Sequence, residues 1–543
     1  MYFTSAAGYC LLVLVPASLF SSLYLYLYPL FHFCAFPSPN QDTRSAYLTS
    51  LRYHAPLLKP NLQNVAPFRL LVFGDPQLEG DSSIKHVEAT TFPNLKKFWR
   101  DSRNHSIRQR VRLSLHDLID FYLDDIPKAI GVWRKRLDHF GNDYYLAHIY
   151  RTLNWWTNPT HSAVLGDLVG SQWIDEEEFK QRGWRFWNRV FKGGIKVEDD
   201  LTLSNNPDGQ KARILGEDSD AWRRRIINVA GNHDIGYAGD MSSERLARFK
   251  EVFGKANYEL RFQLTNNTTS LPIDGQVRPV PEIRIVILNN LNLDTPAGSK
   301  ELQDETYTFI NSIIADSENV ERLAHFTLLL THVPLYKEAG ICADGPFFSY
   351  FVDEYENGLK EQNQLTKHSS KGILEGIYGM SADPGAAGQG YGRNGVILNG
   401  HDHEGCDVFH FINQSASELP EWTCTKWDIA RSNNILHQSG IPGLREVTVR
   451  SMMGNFRGNA GLLSVWFNED TWTWNSEFLN CELGPQHIWW VTHILDIVTI
   501  CVILLYNALV RYEKRFPRQS DRSMSRKKAR KATNMPKDKH GKS

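Results

Sequence analysis

Five short apolar runs in this chain each stop at residues able to bind a metal or move a proton, and that repeated ending limits the folds open to it. Phe68 to Phe73 leads into Gly74, Asp75, Pro76 and Gln77; Ser162 to Leu165 leads into Gly166 and Asp167; Ile226 to Ala230 leads into Gly231, Asn232, His233 and Asp234. Phe326 to Leu330 leads into Thr331 and His332, and Val396 to Leu398 into Asn399, Gly400, His401, Asp402 and His403. Short continuous apolar runs are the pattern of strands buried on both faces. The chain therefore reads as α/β, with its reactive residues where buried strands empty into one crevice. The ends at Asp75, Asp167, Asn232, His332 and His401 are 92, 65, 100 and 69 residues apart, enough for crossovers and insertions. A further strand is expected at Glu282 to Asn289. Residues 90–157, with Val111 to Tyr122 as a helical stretch, read as a mostly helical insertion.

A pair of divalent cations explains such a set. Two metals held close together need a carboxylate that touches both, oxygen and imidazole donors on either side, and open positions for water and a phosphoryl oxygen. Asp167 is the natural bridge. The glycines before Asp75, Asp167, Asn232 and His401 are expected to let the backbone turn sharply so that each ligand points inward. His233 offers a proton, and Asp234 is expected to hold the His233 ring in one tautomer. Taken singly, each residue has an ordinary reading as a turn residue, a core histidine or a surface pair. Five matching ends in one chain do not.

Charge and hydropathy then place the chain. Its net charge of −1 hides thirteen Lys and Arg against three acids from Arg511 to Ser543, which leaves residues 1–510 at −11. An acidic body argues against nucleic acid as a partner. Two long apolar stretches bracket that body. The first, about Ala6 to Phe36, contains no charged residue, and without a preceding cation it reads as an uncleaved anchor over residues 1–36. The second, Ile488 to Val510, opens on Trp489 and Trp490 and stops at Arg511, Lys514 and Arg515, as a spanning helix does. Inside it His493 and Asp496 lie one turn apart and read as an interfacial pair. The cationic stop should stay cytosolic, with residues 511–543 as a basic tail, so residues 37–487 are expected to be lumenal. Asn104, Asn266, Asn267 and Asn413 each begin an Asn-X-Ser/Thr acceptor in that body. Cys342, Cys406, Cys424 and Cys481 also lie there; Cys406 with Cys424, nearest in sequence, is the expected disulfide, with free buried thiols as the alternative. Trp155, Trp156, Trp184 and Trp187 are expected to pack in the core, with stacking on sugar or contact with the membrane interface as the alternative. The run Arg522 to Lys531 reads as a solvated charge run or as contacts to anionic headgroups.

The ordered series Gly-Asp-Pro-Gln, Gly-Asp, Gly-Asn-His-Asp, Thr-His and Gly-His-Asp-His resembles the calcineurin-like metallophosphoesterases, over about Phe68 to Phe409. The resemblance implies a layered β-sandwich flanked by helices. It also implies one metal held by Asp75, Gln77, Asp167 and His403, and another by Asp167, Asn232, His332 and His401. His233 would then protonate the leaving oxygen. Gln77 stands where the family usually has His; an amide oxygen is the harder donor, which favours Mn²⁺ over Zn²⁺ or Fe. Asp-Pro-Gln, two flanking spans and the run Arg445 to Gly454 further resemble the membrane-bound phosphoesterases of the early secretory pathway that remodel GPI anchors. That likeness implies an endoplasmic-reticulum enzyme that removes ethanolamine phosphate from a mannose of the GPI glycan, with GPI-anchored proteins as substrate, membrane lipid around it and cargo-export receptors downstream. Two alternatives stay open: hydrolysis of another lumenal phosphoester, or a membrane adaptor for cargo export weakened at Gln77.

Overall fold

The computed structural model describes residues 2–39, 43–55, 65–101, 106–202, 212–264, 278–351, 358–416 and 420–516. Asn104, Asn266, Asn267 and the basic run Arg522 to Lys531 lie outside them. Two units form, one from residues 1–31 with 487–543 and the other from residues 32–486.

In the larger unit the five apolar runs are strands, as is the run at Glu282. In chain order the strands are β1 (Phe68–Phe73), β2 (His161–Val164), β3 (Ile195–Lys196), β4 (Arg213–Ile214), β5 (Arg225–Asn228), β6 (Tyr258–Gln263), β7 (Glu282–Ile287) and β8 (His325–Leu330). They continue as β9 (Phe348–Tyr350), β10 (Leu359–Gln362), β11 (Asn394–Asn399), β12 (Cys406–Ile412), β13 (Trp422–Lys426), β14 (Gly443–Thr448), β15 (Asn459–Asn468) and β16 (Thr473–Glu482). One sheet has the order β16-β15-β1-β2-β5-β3, a second β13-β12-β14-β11-β8-β7-β6-β4, and β9 pairs with β10 alone. The ligand-bearing strands are neighbours: β1, β2 and β5 run parallel in the first sheet, and β8 and β11 run parallel in the second.

Period-two side chains explain the continuous apolar runs. Phe68, Leu70 and Val72 of β1 join Ile283, Ile285 and Ile287 of β7 and Phe326, Leu328 and Leu330 of β8 in one core between the sheets. The alternate residue Phe73 meets Tyr150 and Phe191 on the other face, with ring centroids 5.9 and 5.7 Å away. Both faces are dry, so neither can alternate with polar residues.

Between β1 and β2 the described residues are largely helical. Pro93–Asp101 is followed by Ile107–Asp120, a π-helical turn at Phe121–Asp125 and the 32-residue helix Ile126–Thr157. The residues joining the last three keep right-handed helical angles, so the helix is continuous from Ile107 and ends at Asn158 in the left-handed region. Trp156 is buried, but Trp155 and Trp184 are more than half exposed, against the expectation that all four tryptophans pack inside.

The cysteine expectation is corrected. Cys342 bonds Cys406 and Cys34 bonds Cys481, while Cys424 is a buried free thiol. Cys424 faces His410 across the β12–β13 pair, four residues along from Cys406. Four residues of strand span about 13 Å, beyond the reach of a disulfide.

In the smaller unit, Phe3–Tyr26 and Gln486–Arg515 are long and apolar enough to cross a membrane. His493 and Asp496 are not partners of each other. Ser18 and Ser22, one turn apart, hydrogen-bond the two oxygens of Asp496, and Tyr26 Oη lies 3.0 Å from His493 Nε2. Thr4 Oγ1 donates to Glu513 Oε1 at 2.5 Å. Ser18 and Ser22 thus supply the donors that satisfy a carboxylate carried on an apolar helix.

Candidate metal centre

The turns that leave the strands bring the ligands together, though not by the device expected. Of the four glycines before the ligands, Gly166 alone has a positive φ, +97°. At Gly231 the need is room: a Cβ there would lie 2.1 Å from the Asp167 nitrogen. The left-handed angles fall instead on the ligands themselves, with φ +46° at Asp75, +42° at Gln77, +51° at Asp167 and +71° at His401. Each such residue costs about 1–2 kcal/mol. Strain of this kind persists where surrounding structure fixes it.

That surrounding structure is visible in the hydrogen bonds. Asp75, fully buried, accepts from the His401 nitrogen at 3.0 and 3.2 Å, which joins the first strand end to the last. Asp167 Oδ1 accepts from the His233 nitrogen at 2.9 Å, and Oδ2 from the Gln77 amide at 2.9 Å. Asp234 departs from its expected role. Its carboxylate accepts from the Val169 and Gly231 nitrogens at 3.0 and 2.8 Å and rivets two turns together, leaving the His233 Nδ1 unpartnered. Adjacent side chains on a tight turn point apart, so neighbouring position does not make Asp234 the orienter of His233. His233 Nε2 instead lies 3.7 Å from Asp167 Oδ2 at the mouth of the site.

The donor set fits two cations. His332 Nδ1 lies 2.7 Å from the Leu165 carbonyl oxygen and must carry the hydrogen, so in the neutral ring Nε2 presents a lone pair. That nitrogen faces Asn232 Oδ1 at 2.9 Å and Asp167 Oδ1 at 3.3 Å. Three acceptors converging without a donor are what a cation satisfies. His401 Nε2 likewise lies 2.8 Å from the Gln362 carbonyl oxygen, which leaves Nδ1 for a metal. Donor atoms of Asp167, His332 and His401 form one group within 4.8 Å, and those of Asp75, Asp167 and His403 form a second. Asp167 belongs to both. Gln77 lies beside the second group, its amide nitrogen 3.1 Å from His403 Nε2; half a turn of the amide puts its oxygen there.

Protonation follows the same geometry. Burial pushes Asp75 up to about 8, with the nearby Asp167 charge adding to it and His332 opposing it. Burial also pushes Asp234 up to about 7, again with Asp167 adding. Burial works against ionisation of Asp167, yet His233 and His332 overcome it and hold that carboxyl well below its usual range. Burial would lower His332, but Asp167 and Asp75 raise it to about 9. Burial and the His332 charge lower His401 to about 3, and burial lowers His403.

A cavity of about 340 Å³ opens over the ligands, with Trp173, Tyr237, Lys360 and Glu361 on its walls beside His233. None of these four was foreseen, because they sit on loops and on the isolated β9–β10 pair without a motif. Behind the site, Ser451 bonds the Asp75 carbonyl at 3.1 Å and its nitrogen donates to the His403 carbonyl at 3.1 Å. Glu446, buried against Lys337 (2.8 Å) and His410 (2.6 Å), accepts from the Leu335 nitrogen and from Asn399 at 2.7 and 2.6 Å. Both residues lie in the Arg445 to Gly454 run; a carboxylate among the apolar residues of that strand was the signal available.

The comparisons with known proteins decide the family. Protein TED1 of Saccharomyces cerevisiae is 34% identical over 69% of this chain and 80% of its own length. The chain belongs to the calcineurin-like metallophosphoesterases. This metallophosphoesterase is also 26% identical to an uncharacterized protein of Schizosaccharomyces pombe, over 70% of the chain and 83% of that protein. Metallophosphoesterase 1 of Danio rerio is 21% identical over 52% of the chain and 60% of its own length. No family model matches the chain. As a metallophosphoesterase it is a metal-dependent phosphoric ester hydrolase, which sets aside the non-catalytic adaptor.

Proposed function

We propose that this metallophosphoesterase removes ethanolamine phosphate from a mannose of the GPI glycan in the lumen of the endoplasmic reticulum, and so supports export of GPI-anchored proteins. The observation that carries the reading is one carboxylate, Asp167, shared by two groups of metal donors beneath an open cavity. Kinship with TED1 and metallophosphoesterase 1 supports the GPI-directed branch, as do Gln77 and the two apolar helices. On this reading the helices are membrane spans, the body is lumenal and the tail beyond Arg511 is cytosolic. Asn413, exposed at the end of β12, is the acceptor available for glycosylation among the described residues.

Asp75, Gln77, Asp167 and His403 would hold one cation, and Asp167, Asn232, His332 and His401 the other, with Mn²⁺ favoured by the oxygen-rich set. Bound there, two divalent cations lower the pKa of water and draw charge from the phosphoryl oxygens. The protein does the rest. Asp75 fixes the His401 backbone, the Leu165 and Gln362 carbonyls select the nitrogens that His332 and His401 present, and His233, exposed to the cavity, delivers a proton to the departing oxygen. No covalent enzyme intermediate is required.

Mass spectrometry of GPI glycans in cells carrying Asp167→Asn or His233→Ala tests the reading. Retained ethanolamine phosphate on one mannose in both variants is the expected result. An unchanged glycan alongside lost turnover on another lipid phosphoester would transfer the activity to that substrate.

A further inference from the structure

A second surface has the chemistry of a binding site. Along the helix from Ile107, the residues Ile107, Val111, Leu115 and Ile119 recur at every fourth position and are 55–81% exposed. Beyond the π-helical turn the pattern resumes with Ile130, Trp133, Leu137 and Phe140, 47–63% exposed. Apolar residues at this spacing form a stripe that a soluble protein buries. In the second half of the helix, where Ala129 and Val132 are buried, the neighbouring face is covered instead. Arg136 bonds Asp81 at 3.1 and 2.5 Å, His139 meets Glu79 at 2.9 Å, and Asp143 takes Arg185 and Arg189. These contacts hold the helix against the loop that follows Gln77 and leave the stripe outward.

Two further observations select the occupant. Cations cluster along the segment at Arg108, Arg110 and Arg112 and again at Arg134, Lys135 and Arg136, so that residues 107–144 carry seven Lys and Arg against six Asp in a body of charge −11. The same helix is fastened where the chain ends of its unit meet: Cys34 and Cys481 are bonded with Cα atoms 5.5 Å apart, Trp156 donates to the Cys34 carbonyl and Tyr145 to the Gly484 carbonyl, both at 2.6 Å. In sequence, the chain of this unit runs on at residues 31 and 487 toward the two apolar helices, a few residues from that bond. The stripe ends at Tyr144, beside Tyr145.

We propose that residues 107–144 lie along a phospholipid bilayer, with the apolar stripe among the acyl chains and the interleaved cations on anionic headgroups. The proposal is independent of which phosphoester is cleaved.

The test uses the full chain reconstituted in vesicles of phosphatidylcholine with a minority of phosphatidylserine. A diazirine-bearing phosphatidylcholine is photolysed and the labelled peptides are mapped by mass spectrometry. Label is expected on peptides of residues 107–144 as well as on the two apolar helices, which serve as internal reference. The double substitution Leu115→Glu and Leu137→Glu should lower label on that segment about tenfold or more, as removal of two apolar side chains from the contact requires. Turnover of a small soluble phosphodiester should be unchanged. If that variant fails to fold, Arg134→Glu with Lys135→Glu carries the test, and its label should fall in the phosphatidylserine vesicles but not in phosphatidylcholine alone. Label confined to the two apolar helices, label unmoved by these substitutions, or cross-links between two copies through the stripe would overturn the proposal.

Discussion

At the ends of β1, β2, β5, β8 and β11 each ligand-bearing turn rests on apolar side chains with almost no exposed surface, whereas along residues 107–144 equally apolar side chains stand in the open. The same residue types serve opposite ends. In the first region burial makes strained backbone angles affordable and raises the strength of every charge contact. In the second, exposure keeps apolar surface available for something outside the chain. One region is set by what it excludes, water, and the other by what it has yet to meet.

The largest expected effect breaks the first region at its centre. Asp167→Asn removes the carboxylate common to both donor groups, and we expect turnover and bound metal to be lost together, measured by phosphodiester hydrolysis and by metal analysis of the purified chain. Full activity with full metal content would show that the two groups do not share a ligand. His233→Ala should spare metal binding and cost about 10²–10⁴-fold in rate for an alkoxide leaving group. The loss should be much smaller for nitrophenol, which departs without a proton. An equal loss for both leaving groups would assign His233 to binding.

A smaller effect probes the support behind the site. Glu446 is buried, and although burial alone would raise it, Lys337 and His410 pull it down to about 2. A carboxyl depressed in the folded state contributes stability above its unfolded pKa of about 4.5 and loses it as pH falls toward about 2. Glu446→Gln should therefore destabilise the neutral protein by about 3 kcal/mol and flatten the acid limb of its stability curve over that window, read by denaturant unfolding at several pH values. A variant with unaltered acid dependence would mean that the ion cluster is not what fastens the Leu335 backbone and the Asn399 side chain.

Which parts of this were legible in the sequence follows from the same contrast. The strands were legible because burial on both faces forbids polar alternation, and the residues that converge at the site because each follows such a run. Direction was not legible: Asp234 is next to His233, yet its carboxylate closes the turn at Gly231 and Val169. Proximity in space was not legible either. Cys406 and Cys424 are 18 residues apart in sequence but four residues out of register across β12 and β13, while Cys342 arrives from the loop after His332. Residues 107–144 read correctly as helical, but spacing alone says that a helix has an apolar face, not that the fold leaves that face uncovered.

The smallest effect therefore sharpens the comparison most. Leu328 in β8 has no exposed surface and Leu115 is 56% exposed, though both are leucines within apolar patterns. Truncation of a fully buried leucine to alanine costs about 2–5 kcal/mol, because transfer energy is lost and a cavity remains. For an exposed one the expected change is within about 0.5 kcal/mol. Leu328→Ala and Leu115→Ala, unfolded side by side in a detergent too bulky to mimic a bilayer, should differ accordingly. In lipid vesicles the Leu115 variant should show a loss that the detergent measurement lacks, since only there does its side chain have a partner. Equal losses in both media would place Leu115 inside a protein contact and remove the distinction between the two regions.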